Sequence, residues 1–397
     1  MSEEKKNPYS DFDEYLRQGE PTQREAAFAW STAIGLQAVD GLKTSAYLQD
    51  TARRNIEGEI TIDEARALVN QYYITRTAHD NDDADKEEAD RVSSNIVKVL
   101  ASRTFDFSTG GYQSVHRRIF EGVIKHAGEL RKYDISKKEW VLEGDSVFYL
   151  NWEDLRRALD YDFEQERAYS YVGKPSNEMI THLTCFVSGL WQIHAFPEGN
   201  TRTTAVFVIL YLRSLGFKVD NDLFAKHSWY FRNALVRANY HHVAKGIDYS
   251  PVYLERFFRN LLLGDGWVLR NRYLHIHPTE EWSVQPNLAV PEQEQDKHPA
   301  STPQVPHKYP TSWGEISENA IKLVHIIGKG TLSVSDMLST LGLKDRKNFL
   351  ELFLNSAIKE GFVRMQYPDS PRHPRQKYLL TAKGMMLYEM IIKEGEV

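Results

Sequence analysis

Apolar positions recur at helical spacing through most of this chain. In residues 25–50, Ala33, Ile34, Leu36 and Val39 share one face and Gly41 marks a stop, so the pattern predicts a helix ending near Asp40-Gly41. Thr61 and Glu64 have capping-box spacing and predict a second helix start after a turn at Gly58. The acidic run "HDNDDADKEEADRV", residues 79–92, reads as a solvated helix start or loop rather than a metal site. From about 90 to 285 the helical period breaks once, at "YDISKKEWVLEGDSVFYLN", where β-prone residues flank Gly144-Asp145 and predict a hairpin-like flap. Residues 286–311, rich in Pro, Gln and Glu, predict a linker. Beyond them "SENAIKLVHII", "SVSDMLSTLG" and "KDRKNFLELFLNSAIKEG" predict three helices, and "FVRMQY" and "KYLLT" two strands, a winged helix-turn-helix layout. The fold class is mainly α. The expected divisions are a polar tail 1–24, a small helical unit 25–80, a core domain 81–285, the linker 286–311 and a C-terminal unit 312–397.

Length and charge narrow this little. At 397 residues two or three units are expected, and a net charge of −6 gives no basis for a general nucleic-acid or membrane-surface binder. The single cysteine, Cys185, cannot form an internal disulfide and lies among apolar neighbours, which reads as a buried thiol in a reducing compartment. The N-terminus lacks an apolar export segment, and runs such as "AVFVILYL" fall short of the roughly 20 residues that span a bilayer, so a cytoplasmic protein without a membrane partner is expected. Acidic and basic residues nearly balance in the C-terminal unit, where Lys344, Arg346, Lys347, Arg372 and Arg375 offer charge to phosphates. DNA and a second copy of the chain stay open as partners.

One segment concentrates chemistry. In "LWQIHAFPEGNTRTTAVF", residues 190–207, Pro197 and Gly199 interrupt an apolar run that resumes as a helix, placing the polar residues in a loop that feeds a helix N-terminus. Free amides near Gly199, Asn200 and Thr201 suit a phosphate, and Arg202 adds charge-assisted bonds. Glu198 would repel that phosphate unless a cation lay between them, for which magnesium is the natural candidate. His194 is the one group there able to take a proton near neutral pH, and Phe196 turns inward as an anchor. The pair His241-His242 has no third ligand at suitable spacing for zinc. Arg232, Arg237, Asn239 and Tyr240 read equally as polar positions on a buried helix or as nucleotide contacts.

The string "HAFPEGNTR" resembles the Fic family motif, His-x-Phe-x-Asp/Glu-Gly-Asn-x-Arg, and the resemblance runs from "STGGYQSVHRRIFEGVIKHAGELR", with His116, Phe120, Ala127, Gly128 and Arg131, through the flap to "YLERFFRNLLLG". It implies a Fic-fold helical core that transfers AMP from Mg–ATP to a Tyr, Ser or Thr hydroxyl of a target protein. Carried over, His194 is the base, Glu198 holds Mg2+, and Gly199, Asn200 and Thr201 line the anion hole. Arg202 steadies the β-phosphate, Phe196 packs the nucleotide-binding set from within, and the flap pins the target by strand-like pairing. Thr201 stands where the family usually has Gly, and Ala205 where many members have a second Arg. Doc-like members, which phosphorylate, usually carry Lys at the Thr201 position. The N-terminal helices resemble the VbhA-type antitoxin, whose inhibitory helix carries Ser/Thr-x-x-x-Glu-Gly-Asn. Asp40 and Gly41 match its acidic-Gly part and Leu36 and Leu42 do not, which leaves two readings: the shorter Asp40 reaches Arg202 and inhibits, or the unit is only structural. A reading of another class is a DNA-binding regulator whose Fic fold only senses a nucleotide; an intact His194 favours the enzyme.

Overall fold

The computed structural model describes residues 12–75, 81–219, 222–277, 309–310, 313, 316–371 and 373–395. Most of the expected linker lies outside these residues, as does Arg372. Residues 12–24, expected as tail, are structured: Phe12 is buried, and helix α1 (Asp13–Gln18) leads into α2 (Pro21–Gly35). Pro21 at the first helical position and reciprocal bonds between Glu20 and Gln23 start α2. Its second half, from Ala27 to Gly35, is buried on every side. The helix tightens into a 3-10 turn, Leu36–Asp40, and Gly41 ends it at φ 75°, the stop read from the sequence.

Helices α3 (Ala46–Ile56), α4 (Ile62–Thr75) and α5 (Asn81–Leu100) complete the N-terminal layer. Ser45 caps α3, and Thr61 and Glu64 close the anticipated capping box at 3.2 Å and 2.7 Å. The acidic run does open α5, but not as a solvated face throughout. Asp90 is fully buried and accepts from the Ser45 amide at 2.9 Å and the Tyr73 hydroxyl at 2.7 Å, because α3 and α4 bring donors against α5 that the local sequence does not foretell.

The central layer holds α6 (Thr109–Ile119), an antiparallel pair β1 (Ser136–Lys138) and β2 (Ser146–Phe148), α7 (Leu155–Ala168), α8 (Ser176–Ile193) and α9 (Asn200–Ser214). Ser136 pairs with Phe148 and Lys138 with Ser146, so the flap is a hairpin as expected. Helix α9 is buried from Asn200 to Leu212, making it the spine of the core. On α8 the buried face runs through Leu183, Phe186, Val187 and Leu190, and Cys185 falls on the other side. Cys185 is therefore exposed, a correction to the buried thiol: apolar neighbours in sequence do not share a face on a helix. Helices α10 (Leu223–Lys226), α11 (Ser228–Asn239) and α12 (Val252–Leu263) close the layer.

The C-terminal unit runs α13 (Glu318–Ile327), α14 (Val334–Thr340) and α15 (Arg346–Phe349), which passes through a π turn, Leu350–Leu354, into α16 (Asn355–Lys359). Strands β3 (Val363–Met365) and β4 (Tyr378–Leu380) pair antiparallel, and Leu332 bridges Tyr378. A last helix, α17 (Ala382–Gly395), was not anticipated. It buries Met385, Met386 and Leu387 and docks on the core, where Glu389 accepts from the Ser176 amide at 2.9 Å.

Candidate active site

Helix α8 ends one residue before the polar segment, and His194 caps it with φ 49° and ψ 59°. Left-handed backbone at a non-glycine residue needs support. Arg131 supplies it, donating from Nε to the His194 carbonyl at 2.8 Å and from Nη2 to Ile193 at 3.3 Å. The same guanidinium donates to the carbonyl of Tyr133 at 2.6 Å and to that of Leu150, so one fully buried side chain ties both stems of the flap to His194. The Arg131 amide adds a bond to Ala195 at 2.9 Å.

The loop is held from inside. Phe196 is fully buried and stacks on His116 with centroids 3.9 Å apart, so it serves the site as a foundation and not as a ligand contact. Asn200 spends its side chain on the loop, accepting from the Phe196 amide at 2.9 Å and donating to its carbonyl at 2.7 Å. His116 accepts from Gly128 at Nδ1, 2.8 Å, which leaves Nε2 to donate to the Glu198 carbonyl at 3.1 Å. Burial lowers its pKa to about 4, so it stays neutral. Gly199 has φ 70°, and a Cβ there would meet the Phe120 ring at 2.1 Å; no other residue fits. Glu198 is exposed. No side chain caps the N-terminus of α9. Thr201 sits inside the helix with ordinary backbone and accepts from Trp191 Nε1 at 3.0 Å, so its branched side chain brings no strain.

Residues 106–212 match the profile of the Fic/DOC family, and residues 318–381 that of the filamentation induced by cAMP protein Fic-like C-terminal domain. The chain carries a Fic/DOC family domain. The architecture is mainly helical, with a small β-hairpin inside the Fic/DOC match and short strands inside the C-terminal match. A curated protein of Sinorhizobium fredii named "Probable protein adenylyltransferase y4lH" is 25% identical over 149 residues, 36% of this chain and 71% of that protein. A solved Fic family protein from Desulfovibrio desulfuricans G20 is 16% identical, covers 94% of this chain and 95% of its own, and has a TM-score of 0.41. The N-terminal Fic domain of a Bartonella effector protein, from Bartonella sp. AR 15-3, is 18% identical over 44% of this chain and 82% of its own, with a TM-score of 0.35.

Within the Fic/DOC match, His194 and Arg202 are both shielded. The His194 imidazole is 2% exposed, stacks on Tyr149 of the flap at 3.7 Å, and meets Trp191 edge-on. Neither ring nitrogen has a hydrogen-bond partner. Burial, with the charges of Lys137 and Arg131 adding to it, holds its pKa well below the ordinary value, so the ring is neutral. Arg202 is equally enclosed. Its Nη1 donates to Gln37 at 2.9 Å, Nη2 to Glu88 at 2.8 Å, and Nε lies 2.8 Å from Asp40. The expected Asp40–Arg202 contact is thus present; Gln37 and Glu88 were not foreseen. Ala205 is fully buried beneath.

Helix α11 braces the flap. Arg232 pairs with the buried Glu139, donating from Nη2 at 3.0 Å with Nη1 2.8 Å from the other oxygen, and Tyr240, with Lys245, binds Asp145 at 2.5 Å. Asn239 turns to the Ser188 carbonyl, and Arg237 lies 5.9 Å from the Tyr253 ring. Each of these side chains thus has a contact within the protein, while Arg237 keeps Nε and Nη1 buried without a hydrogen-bond partner. Beside the flap a cleft of about 480 Å³ is lined by Val147, Phe148, Gln192, Asn239, Tyr240 and Tyr249, among others. Among the described residues no cluster of His, Cys, Asp and Glu has metal-binding geometry, and no helix is long and apolar enough to cross a membrane.

Proposed function

We propose that this chain is a protein adenylyltransferase described in a self-blocked state. The observation that carries the reading is the buried, neutral His194, with both ring nitrogens unpartnered, ahead of a helix start that no side chain caps. Buried polar atoms are ordinarily satisfied, so an orphaned imidazole beside open amides suits a reacting group better than a structural one. In the proposed step the imidazole takes the proton of a Tyr, Ser or Thr hydroxyl as its oxygen bonds to the α-phosphorus of ATP. The bond from that phosphorus to its bridging oxygen breaks, and pyrophosphate leaves. The amides of Gly199, Asn200 and Thr201 would hold phosphate oxygens, as uncapped helix starts do. Magnesium, held by the exposed Glu198, would neutralise polyphosphate charge. The edge of the flap, with Phe148 76% exposed, would pair with an extended stretch of the target.

Three acceptors on Arg202 oppose this arrangement, since Asp40, Glu88 and Gln37 engage all three of its nitrogens and leave at most two of its five N–H donors for a β-phosphate. Intact-mass measurement after incubation with ATP, CTP, GTP and UTP tests the reading. Wild type should gain little mass, Asp40→Gly and Glu88→Gln more, and the double variant most, with AMP as the added group; adding His194→Ala should abolish the gain. If the folded double variant modifies neither itself nor any protein of a cell extract with any nucleotide, the enzymatic reading fails.

A further inference from the structure

We propose that the C-terminal unit is a double-stranded DNA-binding module whose helical rod 346–359 enters the major groove while the β3–β4 wing rests on the backbone. The chain as a whole is acidic at −6, yet residues 318–381 carry ten Lys and Arg against six Asp and Glu. The positive charge is not scattered. Lys344, Arg346, Lys347 and Asn348 form an exposed leading turn, and Arg364, Arg375 and Lys377 are exposed on the wing. Among the described residues none of these six cations donates a side-chain hydrogen bond or forms an ion pair, and only Lys377 acts on a carboxylate at longer range, that of Asp336.

The acids nearby are turned to other work. Asp345 caps the rod, accepting from the amides of Lys347 at 2.9 Å and Asn348 at 3.1 Å. Asp336 closes the capping box of α14 with Ser333 at 3.1 Å and 2.7 Å. Glu360 accepts from Ser317 at 3.0 Å, behind the rod. Glu351 and Asp369 remain exposed.

Wing and rod are held together. Tyr378 exchanges backbone bonds with Leu332 at 2.8 Å and 3.0 Å, and α16 packs against β3, with the Phe362 amide donating to the Ala357 carbonyl at 2.9 Å. Gln376 bonds Tyr367 in both directions, 2.9 Å and 3.0 Å, stiffening the wing. A helix fits the major groove, about 12 Å wide, and Arg and Asn are the side chains that pair in two bonds with guanine and adenine edges. Wing cations reach phosphates, which fix register without reading sequence.

Fluorescence anisotropy of the full chain with a labelled mixed-sequence duplex tests this, with salt varied from ~50 to ~200 mM. Binding should weaken linearly on logarithmic axes. Arg346→Ala/Lys347→Ala should lose about tenfold in affinity and flatten the salt slope by about one to two, while Lys125→Ala, on the core domain, changes neither. Absence of duplex binding at the lowest salt would overturn the proposal. So would equal affinity for heparin, or an undiminished double variant; Leu352, 57% exposed on the same rod, would then mark a protein contact. No nucleotide transfer is read, so the outcome is independent of the active-site reading.

Discussion

His116 is the residue through which acid reaches the motif loop. Its folded pKa of about 4 lies below the ordinary 6.5, so between those values the unfolded chain holds the extra proton. Stability is therefore full above the upper value and is lost as pH falls through the lower one, by roughly 3 kcal/mol if the whole shift is realised. His194, depressed in the same direction, adds to the effect. Thermal unfolding from pH 7 to pH 4 should show this decline, and His116→Asn should flatten it; an unchanged slope would place the acid sensitivity elsewhere. Residues of this kind were partly legible. The Gly199 turn, the inward Phe196 and the Thr61–Glu64 box follow from local rules acting within a few positions. Gln37 and Glu88 were not legible, because their role depends on the 3-10 turn after α2 and on α5 converging on Arg202 from 165 and 114 positions away.

At the level of elements, the flap is more than an edge for a target. Through Tyr149 it covers the imidazole, and through Arg131 its two stems are fixed to the backbone of the residue it covers. Flap position and His194 geometry are thus one variable. Replacing Tyr149 with Ala removes the cover without touching the Arg131 bonds. His194 should then react faster with diethyl pyrocarbonate, followed by peptide mass analysis, with the other histidines as internal reference. Protection equal to wild type would show that Tyr149 is not what shields the ring. The sequence announced the hairpin through its β-prone residues about Gly144-Asp145, but not the cover, since stacking between positions 149 and 194 has no local signature. Helix α17 was missed for a related reason: its apolar run follows a strand closely and reads as a continuation of the unit's end.

Across the whole molecule one apolar cluster runs from Phe12 to Leu387, so the parts expected as separate units share a core. Local charge-assisted bonds reinforce that union. Glu389 of α17 accepts from both the amide and hydroxyl of Ser176 at the start of α8. Glu389→Ala removes both and should lower the unfolding temperature of the full chain by a few degrees, consistent with about 1–2 kcal/mol for partly buried bonds to a carboxylate. No change in calorimetry would mean that apolar packing alone secures α17.

The grip on Arg202 also has an arithmetic of sign. One cation faces two carboxylates, so this group of three side chains carries one surplus negative charge, which under the proposed function a polyphosphate would have to approach. Ionic strength should accordingly help nucleotide entry in the resting protein and hinder it once both acids are gone, reversing the usual response of a phosphate pocket.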